Sequence, residues 1–554
     1  MQISLPIRCL GLLIAALAAI CPSAIAQARN AERTQIAAGQ YRIAGMAINA
    51  RAGNALARCR VTIADAKDQR KVQSVITGDD GRFEFHVPAG KFSLGGAKRG
   101  FISAGYNQHD EYSTAIVTGA DLDTENLVLR LAPNAVLTGR VLDEFGEPVR
   151  NAQIMVYRRQ RAEGIGRTSL FRTAMTDDQG RYEVTPLDEG TYFISAKASP
   201  WYAVHPTSNA EGAPKSPAQV DASLDVVYPT TFYGDATEVE GAAPVAVHGG
   251  DRLEVDIHLN PVPALHLLVR LPEDLADRGI VLPQLEKQVF DGTEHENAVN
   301  IQNIAPGVIE MAGVAPGRYS VRMPGSNGNM KEPTEVNIES GGELDVSSGR
   351  STSQIKLAVQ IEGASTLPAQ LQILLRNSKG KTDYGQVVDA MGAADFSDVI
   401  AGTYDIFAAS STGRYSVVRV ASEAGIISGH ALNVPAGASL TIALSLVGGS
   451  VTVEGFAKRD GKAVSGAMIV LVPKNAEADR DRFRRDESDL DGSFSLSGVI
   501  PGSYTVIAIE DGWDLEWSTP AVLAQYLKRG QTIEVGDRSA PAMHLADAVF
   551  VQAK

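Results

Sequence analysis

Cysteine is nearly missing from this chain: three among 554 residues, at positions 9, 21 and 59. Cys9 and Cys21 fall in an apolar leader, which leaves Cys59 alone and excludes both a disulfide framework and a cysteine-based metal site within the mature chain. Aromatics are scarce at 6%, with three tryptophans. After residue 28 no segment offers the roughly 18 unbroken apolar residues that a membrane-spanning helix needs. Basic charge is in deficit, with 51 Lys and Arg against 65 Asp and Glu for a formal net charge of −14. Such an acidic surface argues against nucleic acid and anionic membranes as partners. Histidine is also sparse, and none of the nine stands at His-x-x-Glu or His-Glu-x-x-His spacing. No Gly-x-Ser-x-Gly elbow and no phosphate-cradling glycine loop is present. These absences point away from catalysis and give no reason to expect a cofactor or a metal.

What the leader contains is more specific. Arg8, the apolar run "LGLLIAALAAI" (10–20) and small residues at Ala24-Ile25-Ala26 or Ala26-Gln27-Ala28 form the three parts of a signal peptide over 1–28. Its loss removes Arg8 and takes the net charge from −14 to −15. Ile20 precedes Cys21 where lipoprotein signals carry Gly, Ala or Ser, so cleavage and export are expected, to the periplasm or the cell surface. Residues 29–40 read as a linker.

A repeat organises the rest. Glycines ten apart recur at Gly180/Gly190, Gly307/Gly317, Gly392/Gly402 and Gly492/Gly502, with Gly81/Gly90 nine apart. An aromatic stands two residues past the second glycine each time: Phe92, Tyr192, Tyr319, Tyr404, Tyr504. Three residues before that glycine stands Val87, Leu187, Val314, Val399 or Val499. Acid-glycine turns such as "DDQG" precede strands of alternating apolar and polar residues, which predicts a hairpin-like unit with one buried face. The third and fourth copies read as having lost the acidic turn and are recognised by their second half alone. Upstream, Gly146-x-x-Val149-x-x-Ala152 matches Gly461-x-x-Val464-x-x-Ala467, and the same frame in the first copy places Leu56 and Cys59. Cys59 is therefore expected in a small buried site. About seven strands in each 90 to 130 residues predict an all-β chain of tandem antiparallel sandwiches over 41–132, 133–262 (with an insert), 263–350, 351–449 and 450–554. The clearest helix is expected in "PAVLAQYLKRG" (520–530), between Pro520 and Gly530.

The pattern "G-x-V-x-D-x-x-G-x-P-V-x-x-A" followed by "T-D-D-x-G-R-Y-x-V-x-x-L-x-x-G-x-Y" resembles the carboxypeptidase regulatory-like domain, a transthyretin-like sandwich, and is similar to carbohydrate-binding-like and Cna-B-like sandwiches. The second copy matches it nearly throughout. The stretches 228–259 and 513–535 resemble parts of large exported proteins of soil bacteria such as acidobacteria. In carboxypeptidases this domain accompanies the enzyme and carries no catalysis. The isopeptide crosslink of some Cna-B-like sandwiches is not expected, since no lysine stands out on an apolar strand face. Glu487-x-Asp489-x-Asp491-Gly492 imitates the front of a calcium loop, but the closing twelfth position is Gly498, so a solvated turn is the better reading.

Aromatics remain as the means of recognition. Eleven residues past the second glycine stand Phe101, Trp201 and Trp513, with Tyr202, His205 and Trp517 nearby. They form either a stacking platform for sugar rings or an aromatic lid on each sandwich core. The sequence thus supports a non-catalytic exported binding protein, with polysaccharide or cell-envelope glycan the class the resemblance implies. It also supports a structural spacer or adhesion scaffold without small ligand, and an accessory subunit of a secreted peptidase that would need a protein partner.

Overall fold

The computed structural model describes residues 34–554 apart from 120–121, 163, 206–220, 272–282, 297, 324–330, 345–351, 365, 378–382, 412, 423–426, 429–430, 478 and 537–541. Residues 1–28, expected above to be a signal peptide and holding Cys9 and Cys21, lie outside the described residues. The fold is all-β and built of sandwiches. Strands such as Arg82–Val87 and Arg181–Leu187 bury alternate residues, as a sheet with one face on a core requires.

The chain divides into two compact units. The first comprises the described residues through Lys98 with Ser103–Gln108 and Ser113–Leu131. In it, a sheet of Tyr41–Asn49, Arg82–Val87 and Leu127–Leu131 accompanies a second sheet centred on Arg60–Asp65 and Gly90–Ala97. The second unit comprises Arg99–Ile102, His109–Tyr112 and Ala132–Lys554. Its strands fall into four successive sandwiches. In the one over 135–258, a sheet of Ala135–Leu142, Arg181–Leu187, Arg252–Glu254 and Ile257–His258 accompanies one of Gln153–Ala162, Ile165–Met175, Gly190–Lys197, Thr231–Phe232 and Val245–Val247. Leu137, Ile154, Val184, Tyr192 and Ile257 fill the space between them. Similar pairs of sheets follow over 265–344 and 353–448. In the last, over 451–552, Val549–Gln552 pairs with strands of both sheets and joins them into one ladder.

The repeat is not a hairpin, contrary to the sequence expectation. Arg181–Leu187 pairs with Ala135–Leu142, whereas Gly190–Lys197 pairs with Gln153–Ala162 in the facing sheet. The same division holds for the other four copies. The glycine turn therefore carries the chain across the core rather than back along it. Alternation fixes which face of a strand is buried, and both arrangements bury one face, so the pattern could not tell them apart.

The repeated residues have physical reasons. Gly180 takes a φ of 68°, and Gly81, Gly307, Gly392 and Gly492 take 71°, 71°, 89° and 79°, all in the region where a side chain is strained. The Asp177 carboxylate closes that turn by accepting from the Gln179 and Arg181 amides at 2.9 and 2.8 Å. Asp389 does the same for Met391 and Ala393, so the fourth copy has kept the acidic turn. In the third, a hairpin between Asn300–Ala305 and Val308–Val314 replaces it.

The aromatic beyond the second glycine is a tyrosine whose hydroxyl donates to the carbonyl four residues upstream. The pairs are Tyr192 to Asp188 (3.0 Å), Tyr319 to Ala315 (2.8 Å), Tyr404 to Ile400 (2.8 Å) and Tyr504 to Ile500 (2.7 Å). Phe92 has no hydroxyl, and there Thr118 Oγ1 donates to the Pro88 carbonyl instead. The valine and alanine of the upstream motif are tied by a hydroxyl: Thr176 donates to the Val149 carbonyl at 2.7 Å and accepts from the Ala152 amide at 2.8 Å. Ser488 bridges Val464 and Ala467 likewise, and Thr77 bridges Leu56 and Cys59. Cys59 is fully buried, and burial raises its thiol pKa.

Candidate functional site

The six aromatic and histidine candidates do not converge. Phe101 is half-buried and bridges Pro133 through the backbone. Trp201 is 85% exposed, whereas Trp513 and Trp517 are buried. Tyr202 is half-buried beside Trp201, and the His205 side chain is nearly enclosed.

Trp201 and Tyr202 belong to a structured end of the 135–258 sandwich. The Asp143 carboxylate accepts from the amides of Phe145 (2.9 Å) and Glu147 (2.7 Å), which fixes a tight turn and leaves Phe145 79% exposed. Glu144, the next residue in that turn, accepts from the hydroxyls of Tyr202 and, at 2.8 Å, Tyr228. Burial, followed by the bond to Glu144, pushes Tyr202 up to about 12, so it remains a donor throughout the neutral range. The Tyr202 ring meets Trp201 edge to face, at 5.8 Å and 90°. Two exposed aromatics, Phe145 and Trp201, thus stand on turns joined through one carboxylate. Phe145 was not singled out in the sequence, although an aromatic inside an acid-glycine turn, "DEFGEP", departs from turn composition and could have flagged it.

Trp513 and Trp517 do different work. Strand Met468–Pro473 is buried on both faces, and its outward residues Met468, Val470 and Val472 pack with Ile507, Ile509, Trp513, Trp517, Leu523 and Tyr526. The helix Pro520–Tyr526, tightened into a 3₁₀ turn over Leu527–Arg529, supplies part of this cover. Trp513 Nε1 donates to the Gly466 carbonyl at 2.9 Å, and its ring stacks on His109 at 5.0 Å and 4°. The Arg485 guanidinium lies over Trp517, Tyr112 and Trp513 at 4.7, 5.2 and 5.8 Å. Gly164, at the tip of the 153–175 hairpin, is so close to Trp517 that a Cβ there would stand 2.8 Å from the indole. Neither indole offers a face to a sugar.

A further aromatic cluster joins the second sandwich to the third. Phe290 sits among Phe193, Tyr157 and Phe232 at 4.6, 5.1 and 5.9 Å between ring centres. Tyr157, raised in pKa by burial and by Glu294, donates to that carboxylate. Lys197 Nζ donates to Glu296 at 2.5 Å, and Lys287 reaches the Thr237 carbonyl at 3.1 Å and Glu238 at 3.3 Å. A cavity of about 60 Å³ between Lys197, Tyr228, Thr230, Lys287, Glu296 and Tyr319 remains. Further on, Glu332 accepts from the Ala401 amide at 2.7 Å, and the Ser416 hydroxyl donates to Asp481. None of these interface residues was foreseen.

The calcium-like stretch is occupied otherwise. Asp491 accepts from the Ser493 amide at 2.9 Å, Asp489 from the Ser493 hydroxyl at 3.3 Å, and the buried Glu487 faces His109 at 3.1 Å. Among the described residues no group of three or more His, Cys, Asp and Glu is placed to hold a metal ion. No helix among them is long and apolar enough to cross a membrane.

No curated protein matches the chain. Among solved structures it is similar to the Bacillus anthracis TIE protein, at 12% identity and a TM-score of 0.15, over 70% of this chain and 69% of that one. It is similar to a streptococcal ancillary pilin at 12% identity and 0.19, over 55% and 98%, and to GBS52, the minor pilin of Streptococcus agalactiae, at 12% and 0.21, over 40% and 97%. Superpositions this loose bear on neither the details of the fold nor function, and none of these proteins is acidobacterial. The match that carries weight is one of sequence, and it falls where the motif and the crossing glycine turn are both complete: residues 136–225 match the family model of the carboxypeptidase regulatory-like domain.

Proposed function

We propose that this chain is an exported, non-catalytic structural scaffold that holds the second and third sandwiches in fixed relation and displays the end loops of its sandwiches. The carrying observation is the junction of the second and third sandwiches, where four aromatic rings and the Tyr157–Glu294 and Lys197–Glu296 bonds are committed to contact within the chain. Aromatic area of this kind is the main currency of recognition. Spending it internally favours rigidity over ligand capture. Calorimetry tests this. The two sandwiches should melt in one transition, and Phe232→Ala, at a site 1% exposed, should split that transition at a cost of about 3–5 kcal/mol. Two independent transitions in the unaltered chain would refute the reading.

The exposed pair Phe145 and Trp201 favours a second reading, glycan binding, at that one end. A ring braced by Tyr202 and a carboxylate-anchored turn is pre-organised for stacking on a pyranose. Affinity electrophoresis through gels cast with plant, fungal and bacterial polysaccharides is the test. Retardation by one glycan that disappears in a folded Trp201→Ala variant would support it, and migration unaltered by every polysaccharide would leave the scaffold reading alone.

A further inference from the structure

His266, on strand Leu265–Arg270 of the third sandwich, faces two carboxylates at once. Its Nδ1 lies 3.1 Å from Glu310 Oε1, on the neighbouring strand Val308–Val314, and its Nε2 lies 2.6 Å from Asp225 Oδ2. Asp225 belongs to the insert that follows strand Gly190–Lys197, between the turn Ala222–Leu224 and the short strand Val226–Val227. Its other oxygen is 3.0 Å from His205 Nδ1. The Glu310 and His205 side chains are 3% and 5% exposed and those of His266 and Asp225 27% and 20%, so this chain of four groups is partly shielded from water.

The two histidines are not equivalent. An ionised carboxylate can only accept hydrogen bonds, and a neutral imidazole carries a single N–H. His205 meets one carboxylate and needs one proton. His266 meets two, and only the imidazolium, with both nitrogens protonated, can donate to both. In the neutral ring one nitrogen lone pair would face a carboxylate oxygen in a half-buried setting, an arrangement that costs part of the hydration of both groups with no bond in return. Burial pulls the His266 pKa down, but the bonds to Glu310 and Asp225 more than offset it, and the net direction is upward.

We propose that His266 is a proton-operated latch that fastens the insert of the second sandwich to the third by donating to Asp225 and Glu310 together, and that loses one of the two bonds on deprotonation. The groups that face it are Asp225 from the insert and Glu310 from the adjacent strand, with His205 coupled through Asp225. The sign follows from linkage. A histidine raised above its unfolded value adds stability that is fully present below about pH 6.5 and is lost as pH rises through the raised folded value. The latch is closed in acid and loosens in base.

Two measurements on the full chain test this. In ¹H–¹³C spectra the His266 ring should titrate above an ordinary histidine, and its midpoint should fall in both Asp225→Asn and Glu310→Gln. Amide exchange at Val227, which pairs with Val262 across the junction, provides the second readout. The ratio of protection between the unaltered chain and His266→Gln cancels the intrinsic pH dependence of exchange. That ratio should be several-fold at about pH 5.5 and should approach one near about pH 9. A midpoint at or below that of ordinary histidine, or one unmoved by either carboxylate variant, overturns the latch. So does a protection ratio that does not change with pH. Should His266→Gln fail to fold, the carboxylate variants decide the matter through the titration alone.

Discussion

Trp201 and Trp513 occupy the same place in two copies of one repeat, eleven residues past the second glycine. One is 85% exposed and the other 8%. The spacing carries both indoles to the same end of a sandwich, but their fate is decided by the neighbouring strand. In the fifth copy that strand reads Met468-Ile469-Val470-Leu471-Val472, apolar on both faces, and its outward side chains need a cover. Trp513, Trp517 and the helix Pro520–Tyr526 provide it. In the second copy the corresponding outward residues are Gln153, Met155 and Tyr157, and Met155 and Tyr157 are covered by Phe232, Val289 and Phe290 instead, which leaves Trp201 exposed. Register sets position; what else covers the adjacent face sets exposure.

The comparison is broken most directly by truncating both residues. Trp513→Ala removes a buried indole, its hydrogen bond to Gly466 and the stack with His109, and should cost about 3–5 kcal/mol. Trp201→Ala removes a ring that is mostly in water and should fall within about 0.5 kcal/mol of the unaltered chain. Urea midpoints of the two variants check both. Equal losses would mean that the repeat position itself, and not the adjacent face, determines what the tryptophan does.

The legible part of the molecule was whatever one strand's own pattern specifies. The alternation in "RYEV" and "TYFISA", the glycine turns and the Val149-x-x-Ala152 frame all concern a residue's relation to a core, and the all-β sandwich class followed from them. The burial of Cys59 followed as well. What was not legible depends on a second partner. The crossing between sheets was misread as a hairpin because alternation is silent about which strand lies alongside. Residues Phe290, Glu294 and Glu296 look like ordinary half-polar strand and turn composition until the second sandwich is brought against them. Phe145 was missed for the opposite reason, since it makes sense only as a residue that nothing covers. His266 carried no motif at all, because its two carboxylates are 41 and 44 positions away.

The smallest effect separates the copies most finely. Four tyrosines donate to the carbonyl four residues upstream, and Tyr504, buried with its bond to Ile500 at 2.7 Å, is the cleanest case. Tyr504→Phe leaves that carbonyl without its donor at no change in packing, and should lower stability by about 0.5–1.5 kcal/mol. The first copy is the natural counter-experiment. There Phe92 occupies the tyrosine position, and the Pro88 carbonyl already accepts from Thr118 Oγ1 at 3.0 Å. A hydroxyl added by Phe92→Tyr would compete with Thr118 for an acceptor already in use, so the substitution should be close to neutral. Thr118→Val should be destabilising on its own, and Phe92→Tyr should recover part of that loss by supplying the missing donor. A double-mutant cycle reads the exchange directly. Strict additivity would show that the two hydroxyls do not share the carbonyl, and a favourable coupling would show that this sandwich meets the same backbone need from the adjacent strand Ile116–Thr118 rather than from its own turn.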